Sequence, residues 1–242
     1  MIDSAVLFVS LGSFIAAFVN AAFATGGVYI LLFSSMTVLP VTAAIALQST
    51  FAAASLIGRI YFFWQHIDWR LTRMFALGGI AGVALGARTF VALPEAVILT
   101  LLGLFMLLLI WLPKLPDLNR MKHPFVFIGI LHSYIGTVFG VGGVLQPLML
   151  RTKLTKLQLT GTLAACMLAL DVMKVVGYGS VGFNYFDYVP HIIGATLAGF
   201  AGTWAGKRVT HRVSENLFRT VFRILVTLVA LQMIYRGVFT QQ

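Results

Sequence analysis

The residues of this chain that could do chemistry are few, and the clearest are charges inside long apolar runs. Lys174 lies well within the run 157–180, three residues after Asp171, and Arg59 lies five residues before the end of the run 40–64. A charge at membrane depth is expensive and usually functional. Either cation would suit an anion, but Lys174 could instead pair with Asp171 along its helix, and Arg59 could snorkel toward a loop. Because Asp171 is the only acid deep in an apolar run, a cation site built from several carboxylates is excluded.

Two glycine pairs interrupt apolar runs at matching places in the two halves of the chain. The segment FATGGVYILLF begins at residue 23 and FGVGGVLQPLM at residue 139, an offset of 116 that matches Gly26 and Gly27 to Gly142 and Gly143. A helix broken in lipid exposes polar backbone groups, so the break must face protein or a water-filled cavity. Transporters bind substrate at such breaks. The alternative is a glycine pair that only kinks a helix for packing.

We therefore predict a substrate site made of main-chain groups at the two breaks, nearby polar side chains and the buried cations. Its candidate residues are Asn20, Thr25, Gly26, Gly27, Gln48, Arg59, Gly140, Gly142, Gly143, Gln146 and Lys174. His132 and Asp171 are candidates for proton coupling, although one histidine on an apolar helix commonly only hydrogen-bonds a neighbour. The sequence shows no Ser-His-Asp, paired-carboxylate or Cys/His constellation. We expect no catalytic residue, no metal site and no cofactor.

The composition indicates that this chain lies in a lipid bilayer. Apolar residues make up 60% of it and charged residues 10%, and the mean hydropathy is +0.95. Such a chain cannot cover itself with polar surface, so it is predicted to be an all-α polytopic membrane protein. The net charge of +10 lies in short loops between apolar runs, which is typical of cytoplasmic loops and argues against a nucleic-acid partner.

The duplication extends beyond the glycine pairs. GVALGAR at 82–88 matches GTWAGKR at 202–208, and a glycine ridge in each copy indicates close helix packing. We predict two repeats, 1–112 and 125–242, joined by the polar linker 113–124 into a single membrane transporter domain. Each repeat is predicted to contain a glycine-broken helical hairpin and three transmembrane helices. The predicted helices are 40–64, 70–92, 95–112, 157–180, 188–207 and 216–236.

The loop charges predict how the broken segment lies in the membrane. If it crosses once, the loop lysines and arginines divide six against seven between the two sides. If it turns at the glycines and leaves on the side it entered, the division is eleven against two, which the positive-inside rule favours. An odd number of crossings per half makes the repeats inverted and places both termini in the periplasm. The eleven are Arg70, Arg73, Lys114, Arg120, Lys122, Arg151, Lys153, Lys156, Lys207, Arg208 and Arg212, and the two are Arg88 and Arg236.

The glycine segments resemble the duplicated motif of the TauE/SafE sulfite exporter family over essentially the whole chain. In TVFGVGGVLQPLML, the family's glycine motif is matched by Gly140, Gly142, Gly143 and Pro147, with Val144 in place of a third consecutive glycine. The first copy departs further and has no proline. The resemblance implies a multi-pass carrier in the bacterial inner membrane that moves sulfite, sulfonates such as sulfoacetate, or related anions, driven by the membrane potential or a proton gradient.

Three classes of function remain open from the sequence. The first is secondary transport of a small anion by alternating access, in which the two halves rock around a midplane site formed by both glycine breaks. The second is a membrane-embedded enzyme acting on a lipid or a sulfur compound, which the sequence disfavours because no nucleophile and base are paired. The third is a channel, whose flux would not saturate.

Overall fold

The computed structural model describes residues 4–23, 26–111, 124–149, 152–209 and 215–239. Within these ranges the chain is all helical, as predicted, with no strand. Thr25 and linker residues 113–123 lie outside the described residues. The α-helices are α1 Ser4–Phe23, α2 Gly27–Val38, α3 Val41–Phe63, α4 Trp69–Ala92, α5 Glu95–Trp111, α6 Pro124–Phe139, α7 Leu145–Met149, α8 Lys156–Ser180, α9 Val189–Val209 and α10 Glu215–Phe239.

The helices confirm the polytopic membrane architecture. In the described part of the chain, α1, α3, α4 and α8 are long and apolar enough to cross a bilayer, and α2, α5, α6 and the second half of α10 are shorter apolar helices. Each of the six predicted transmembrane spans corresponds to one helix, from α3 to α5 and from α8 to α10, with ends that differ by a few residues. The apolar runs therefore located the helices correctly.

Local sequence explains where several helices begin. Thr155 caps α8 by accepting the Gln158 N–H, and the Gln158 side chain accepts the Thr155 N–H in return. This reciprocal pair satisfies two backbone donors that the first turn leaves without partners. At the start of α4, the Asp68 carboxylate accepts the Leu71 N–H at 3.0 Å. Leu93 and Pro94 separate α4 from α5, because proline does not continue a helix.

The chain forms two compact units. Unit 1 comprises Met1–Ala54, Leu93–Trp111 and Asn184–Gln242, and unit 2 comprises Ser55–Ala92 and Leu112–Phe183. In unit 1, α1 packs against α2 and along α9, and α5 packs along α10. In unit 2, α4 packs along α6 and against α8. Each unit thus combines helices from both halves of the sequence.

One helix interface is built twice, once in each unit. In unit 2, a Cβ on Gly82 would collide with the carbonyl oxygen of Ile130, and in unit 1 a Cβ on Gly202 would collide with that of Phe14. The glycines are 120 residues apart and their partners 116 residues apart, the offsets at which the two halves align. The glycine ridges pack closely, as predicted. Gly86 with Tyr134 and Gly206 with Phe18 show the same two offsets, and Gly78 with Val126 corresponds to Gly194 with Ser10 at an offset of 116 for both residues.

Candidate functional site

The first glycine break lies between α1 and α2 in unit 1. Gly26 has φ +99°, a left-handed conformation that favours glycine, and α2 begins at Gly27. The Gly27 N–H donates to Oδ1 of Asn20 at 2.9 Å. A Cβ on Gly27 would collide with the Ala16 carbonyl oxygen. The backbone of α2 therefore begins in direct contact with α1.

The chain reverses direction at this break. Gly27 lies against Ala16, and further along the two helices Gly12 lies against Ser34. The order of these contacts shows that α2 runs back antiparallel to α1. The break thus forms a helical hairpin, and the side of the membrane on which it enters and leaves stays a prediction.

Two buried polar side chains of α3 adjoin the first break in the same unit. Gln48 donates its Nε2–H to the Val28 carbonyl in the first turn of α2 at 2.8 Å. The Gln48 Oε1 and Ser49 Oγ atoms are buried and have no hydrogen-bond partner among the described residues. Buried polar atoms in proteins are normally paired with protein or with ordered water. Each atom would be satisfied by a ligand or a water molecule, since the Ser49 hydroxyl can donate to an oxyanion and the Gln48 Oε1 can only accept.

The second break lies between α6 and α7 in unit 2. Gly140 has φ +77° and Gly143 has φ +63°, so the family-type glycines at both positions occupy conformations that other residues rarely adopt. Gly142 packs against the His132 ring, where a Cβ would collide with the imidazole. The chain again folds back along the helix that leads into the break.

His132 binds the backbone amides at the start of α7. Its Nδ1 accepts the Val144 N–H at 3.3 Å and the Leu145 N–H at 3.1 Å. A ring nitrogen that accepts two N–H groups carries no proton in this arrangement. Asn20 at the first break and His132 at the second thus have the same role. Each lies on the helix that leads into the break, and its side chain accepts a hydrogen bond from the backbone of the segment that follows the break.

Lys174 and Tyr178 present one face of α8 to α6 within unit 2. Lys174 is 3% exposed and Tyr178 is fully buried, and residues four apart lie on the same side of a helix. The Tyr178 hydroxyl donates to the Thr137 carbonyl near the end of α6. The charge of Lys174 acts on His132, and the charge of Asp171 acts on Lys174. The buried lysine is therefore in electrostatic range of the second break.

Three of the predicted site residues, Arg59, Gln146 and Asn20, are exposed. Arg59 is exposed in the last turns of α3, as a snorkelling arginine would be. Gln146 is exposed in α7, and Asn20 is exposed at its position in α1 although its amide oxygen binds Gly27. Thr162, a polar residue of α8, accepts the Asp68 N–H at 2.9 Å and thereby joins α8 to the start of α4.

The model of the family described as sulfite exporter TauE/SafE matches residues 9–233. This chain belongs to the TauE/SafE family. A protein of Xylella fastidiosa strain Temecula1, named a probable membrane transporter protein, is 26% identical over 212 residues, which cover 81% of this chain and 79% of that protein. No solved structure matches the chain.

Membership of the TauE/SafE family makes the chain a membrane transporter with a small-molecule substrate and a lipid bilayer environment. Two residues that the structure singles out, Ser49 and Tyr178, are absent from the predicted site residues. Ser49 is one of many polar residues in the sequence, and only the coordinates show that its buried hydroxyl has no partner among the described residues. Tyr178 could have been found from its spacing of four residues from Lys174, which places both on one helix face.

Proposed function

We propose that this protein is a secondary transporter that exports small sulfur-containing anions, such as sulfite, sulfonates or sulfoacetate, across the bacterial inner membrane by alternating access. The observation that carries the proposal is the repeated glycine break, at which the chain turns back and an Asn20 or His132 side chain binds the returning amides. Backbone broken at membrane depth is the usual substrate platform of transporters. A catalytic role is not part of this proposal, because no nucleophile and base are paired in the sequence.

Electrostatics support an anion as the substrate. Asp171 is the only acid deep in an apolar run, so the sequence does not supply the several carboxylates that a metal-cation site requires. The N-terminus of a helix adds roughly half a positive charge. The 12-residue α2 begins at the first break, and its first turn is bound by the buried Gln48 side chain. These features suit an oxyanion and disfavour a metal cation.

Thermal stability of the purified protein tests the proposal. A ligand that binds the folded state raises the melting temperature by mass action. We expect sulfite, thiosulfate, taurine or sulfoacetate to raise it, and chloride and divalent cations at the same ionic strength to leave it unchanged. An equal response to every salt would show only ionic-strength effects and would contradict a specific anion site.

The topology proposed for this transporter places both termini in the periplasm and the basic loops in the cytoplasm. The test uses single cysteines in a variant whose one native cysteine, Cys166, is replaced by alanine. A cysteine at Lys153 should be protected from an impermeant thiol reagent in intact cells, and a cysteine at Arg88 should react. Labelling at Lys153 from outside would contradict the inverted arrangement of the repeats.

The packing of α1 on α9 constrains which parts can move during transport. α1 belongs to the first sequence half and α9 to the second, yet glycines hold the two helices in backbone contact. A rigid rocking of one sequence half against the other would break this contact. We propose instead that α1 moves together with α9, and α4 together with α6.

A disulfide between α1 and α9 should therefore be tolerated during transport. A Cβ built on Gly194 lies 3.8 Å from the Ser10 Cβ, which is close to the mean separation in disulfides. We expect Ser10→Cys with Gly194→Cys, made without Cys166, to keep its flux in proteoliposomes after oxidation. Peptide mass spectrometry confirms the bond, and reduction of the same sample is the control. Flux that stops on oxidation and returns on reduction would favour rocking of the sequence halves.

Lys174 and Asp171, three residues apart on α8, give a prediction about the role of the lysine. Two well-packed apolar groups can replace a buried ion pair without loss of stability. If Lys174 served only Asp171, then Lys174→Met combined with Asp171→Leu would transport at the parent rate. We expect the double variant to fold, as judged by size-exclusion chromatography and melting temperature, but to lose anion transport. A parent rate in the double variant would remove Lys174 from the substrate site.

A further inference from the structure

A pocket of about 340 Å³ lies on the surface of unit 1, where the end of α5 meets α10. It is remote in sequence from both glycine breaks and plays no part in the proposed transport site. Its lining consists of Trp111, Thr220, Arg223, Ile224, Thr227 and Leu228.

Contacts within the pocket fix the Trp111 ring beside a cation. The indole Nε1–H donates to Thr227 Oγ1 at 3.2 Å, and the Thr227 hydroxyl donates to the Arg223 carbonyl at 2.7 Å. The Arg223 guanidinium carbon lies 5.3 Å from the centre of the Trp111 ring. The Arg223 guanidinium therefore lies beside the ring of Trp111, and both residues line the pocket.

On α5 and α10, the acidic residues are distant from Arg223 in sequence, and apolar residues are close to it. The acids of α5 and α10 are Glu95, at the far end of α5, and Glu215, eight residues before Arg223. Continuing along α10, Ile224 and Leu228 are 55% and 58% exposed. Trp111 is the last residue of an apolar helix, where tryptophan marks the membrane–water interface. Among the side chains that the structure describes, this side of the protein therefore offers the Arg223 cation at the interface, beside exposed apolar side chains.

We propose that this pocket binds the headgroup of an anionic phospholipid of the surrounding bilayer. A guanidinium binds a phosphate through two parallel hydrogen bonds, and Arg223 is placed to do so beside Trp111. The acyl chains then lie along Ile224 and Leu228. Charge complementarity selects an anionic lipid over a zwitterionic one.

Native mass spectrometry of the protein, stripped of lipid and then incubated with one phospholipid, tests this inference. The probes are phosphatidylglycerol and phosphatidylcholine with the same acyl chains. We expect phosphatidylglycerol to be retained preferentially and Arg223→Gln to lower its retention about fivefold, because one basic residue near an anionic surface is worth about 1 kcal/mol.

Arg208→Gln is the matched control. The Arg208 guanidinium lies 3.6 Å from the centre of the Trp204 ring, four residues earlier on α9, and both side chains are exposed. The control therefore removes an arginine stacked on tryptophan from elsewhere on the same unit. Retention of phosphatidylglycerol should stay at the parent level in this variant.

Three results would overturn the proposal. The first is parent-level retention in Arg223→Gln, and the second is an equal loss in Arg208→Gln, which would indicate unspecific attraction. The third is complete displacement of the lipid by equimolar soluble glycerol phosphate, which would indicate a site for a free phosphate group. If Arg223→Gln does not elute as a folded protein, Trp111→Leu is measured instead, and unchanged retention there also overturns the proposal. None of these readouts depends on transport.

Discussion

Gly27→Ala is expected to lower anion transport at least about tenfold while the protein still inserts into the membrane. The added Cβ would collide with the Ala16 carbonyl oxygen and approach the Asn20 amide carbon to 2.6 Å. Overpacking of this kind costs typically 1–3 kcal/mol, and 1.4 kcal/mol corresponds to a factor of ten. The start of α2 must move away from α1, which displaces the Gly27 amide from Asn20.

The chain offers two matched controls for this substitution. A Cβ on Gly58 in α3 or on Gly179 in α8 meets nothing within 4 Å. Alanine favours a helix over glycine by about 1 kcal/mol, so both controls should keep transport and melt at the parent temperature or above. Initial rates in proteoliposomes, corrected for the amount of inserted protein, give the comparison. A parent rate in Gly27→Ala would assign the glycine pair to packing alone.

His132→Leu is expected to abolish transport and to lower the melting temperature. The Val144 and Leu145 amides would lose their acceptor. Each buried donor left without a partner costs about 1–3 kcal/mol. His132→Asn should recover part of both properties, because an Asn Oδ1 atom can stand near the position of the imidazole Nδ1, as Asn20 does at the first break.

The asparagine variant separates two roles for this histidine. A residue that only positions the second break is replaceable by asparagine, so His132→Asn would transport and would show the parent dependence on a pH gradient. A proton carrier is not replaceable, because asparagine does not titrate. Normal stability with no transport in His132→Asn would contradict the positioning role and support proton coupling.

The sequence predicted α3 to α5 and α8 to α10 well because each of these helices is a long apolar run. It also predicted that the glycine ridges pack closely, but not which helix each ridge meets. The partner of Gly82 is Ile130 and that of Gly202 is Phe14, so each contact joins the two halves. Nothing in a hydropathy pattern specifies such a pairing, since an apolar face is equally compatible with many neighbours.

At the candidate site, the sequence predicted several of the residues near the breaks but not what each of them binds. Gly27, Asn20 and Gln48 were predicted as substrate ligands, and in unit 1 they are close together, yet Asn20 and Gln48 each bind the backbone of α2. The prediction for His132 had the same limit, because only coordinates show that its Nδ1 faces two amides. A sequence can predict that a polar residue lies near a break but not which of its atoms have partners.

Counterflow in proteoliposomes tests the central claim most directly. Vesicles loaded with unlabelled sulfite or sulfoacetate are diluted into the same labelled anion, so that exchange through a carrier accumulates label. We predict uptake that saturates with concentration, is stimulated by the internal anion, and is lost in Gly27→Ala but kept in Gly58→Ala. Uptake no greater than in empty vesicles for every sulfur anion tested, or uptake that rises linearly without stimulation from inside, would contradict a secondary anion transporter.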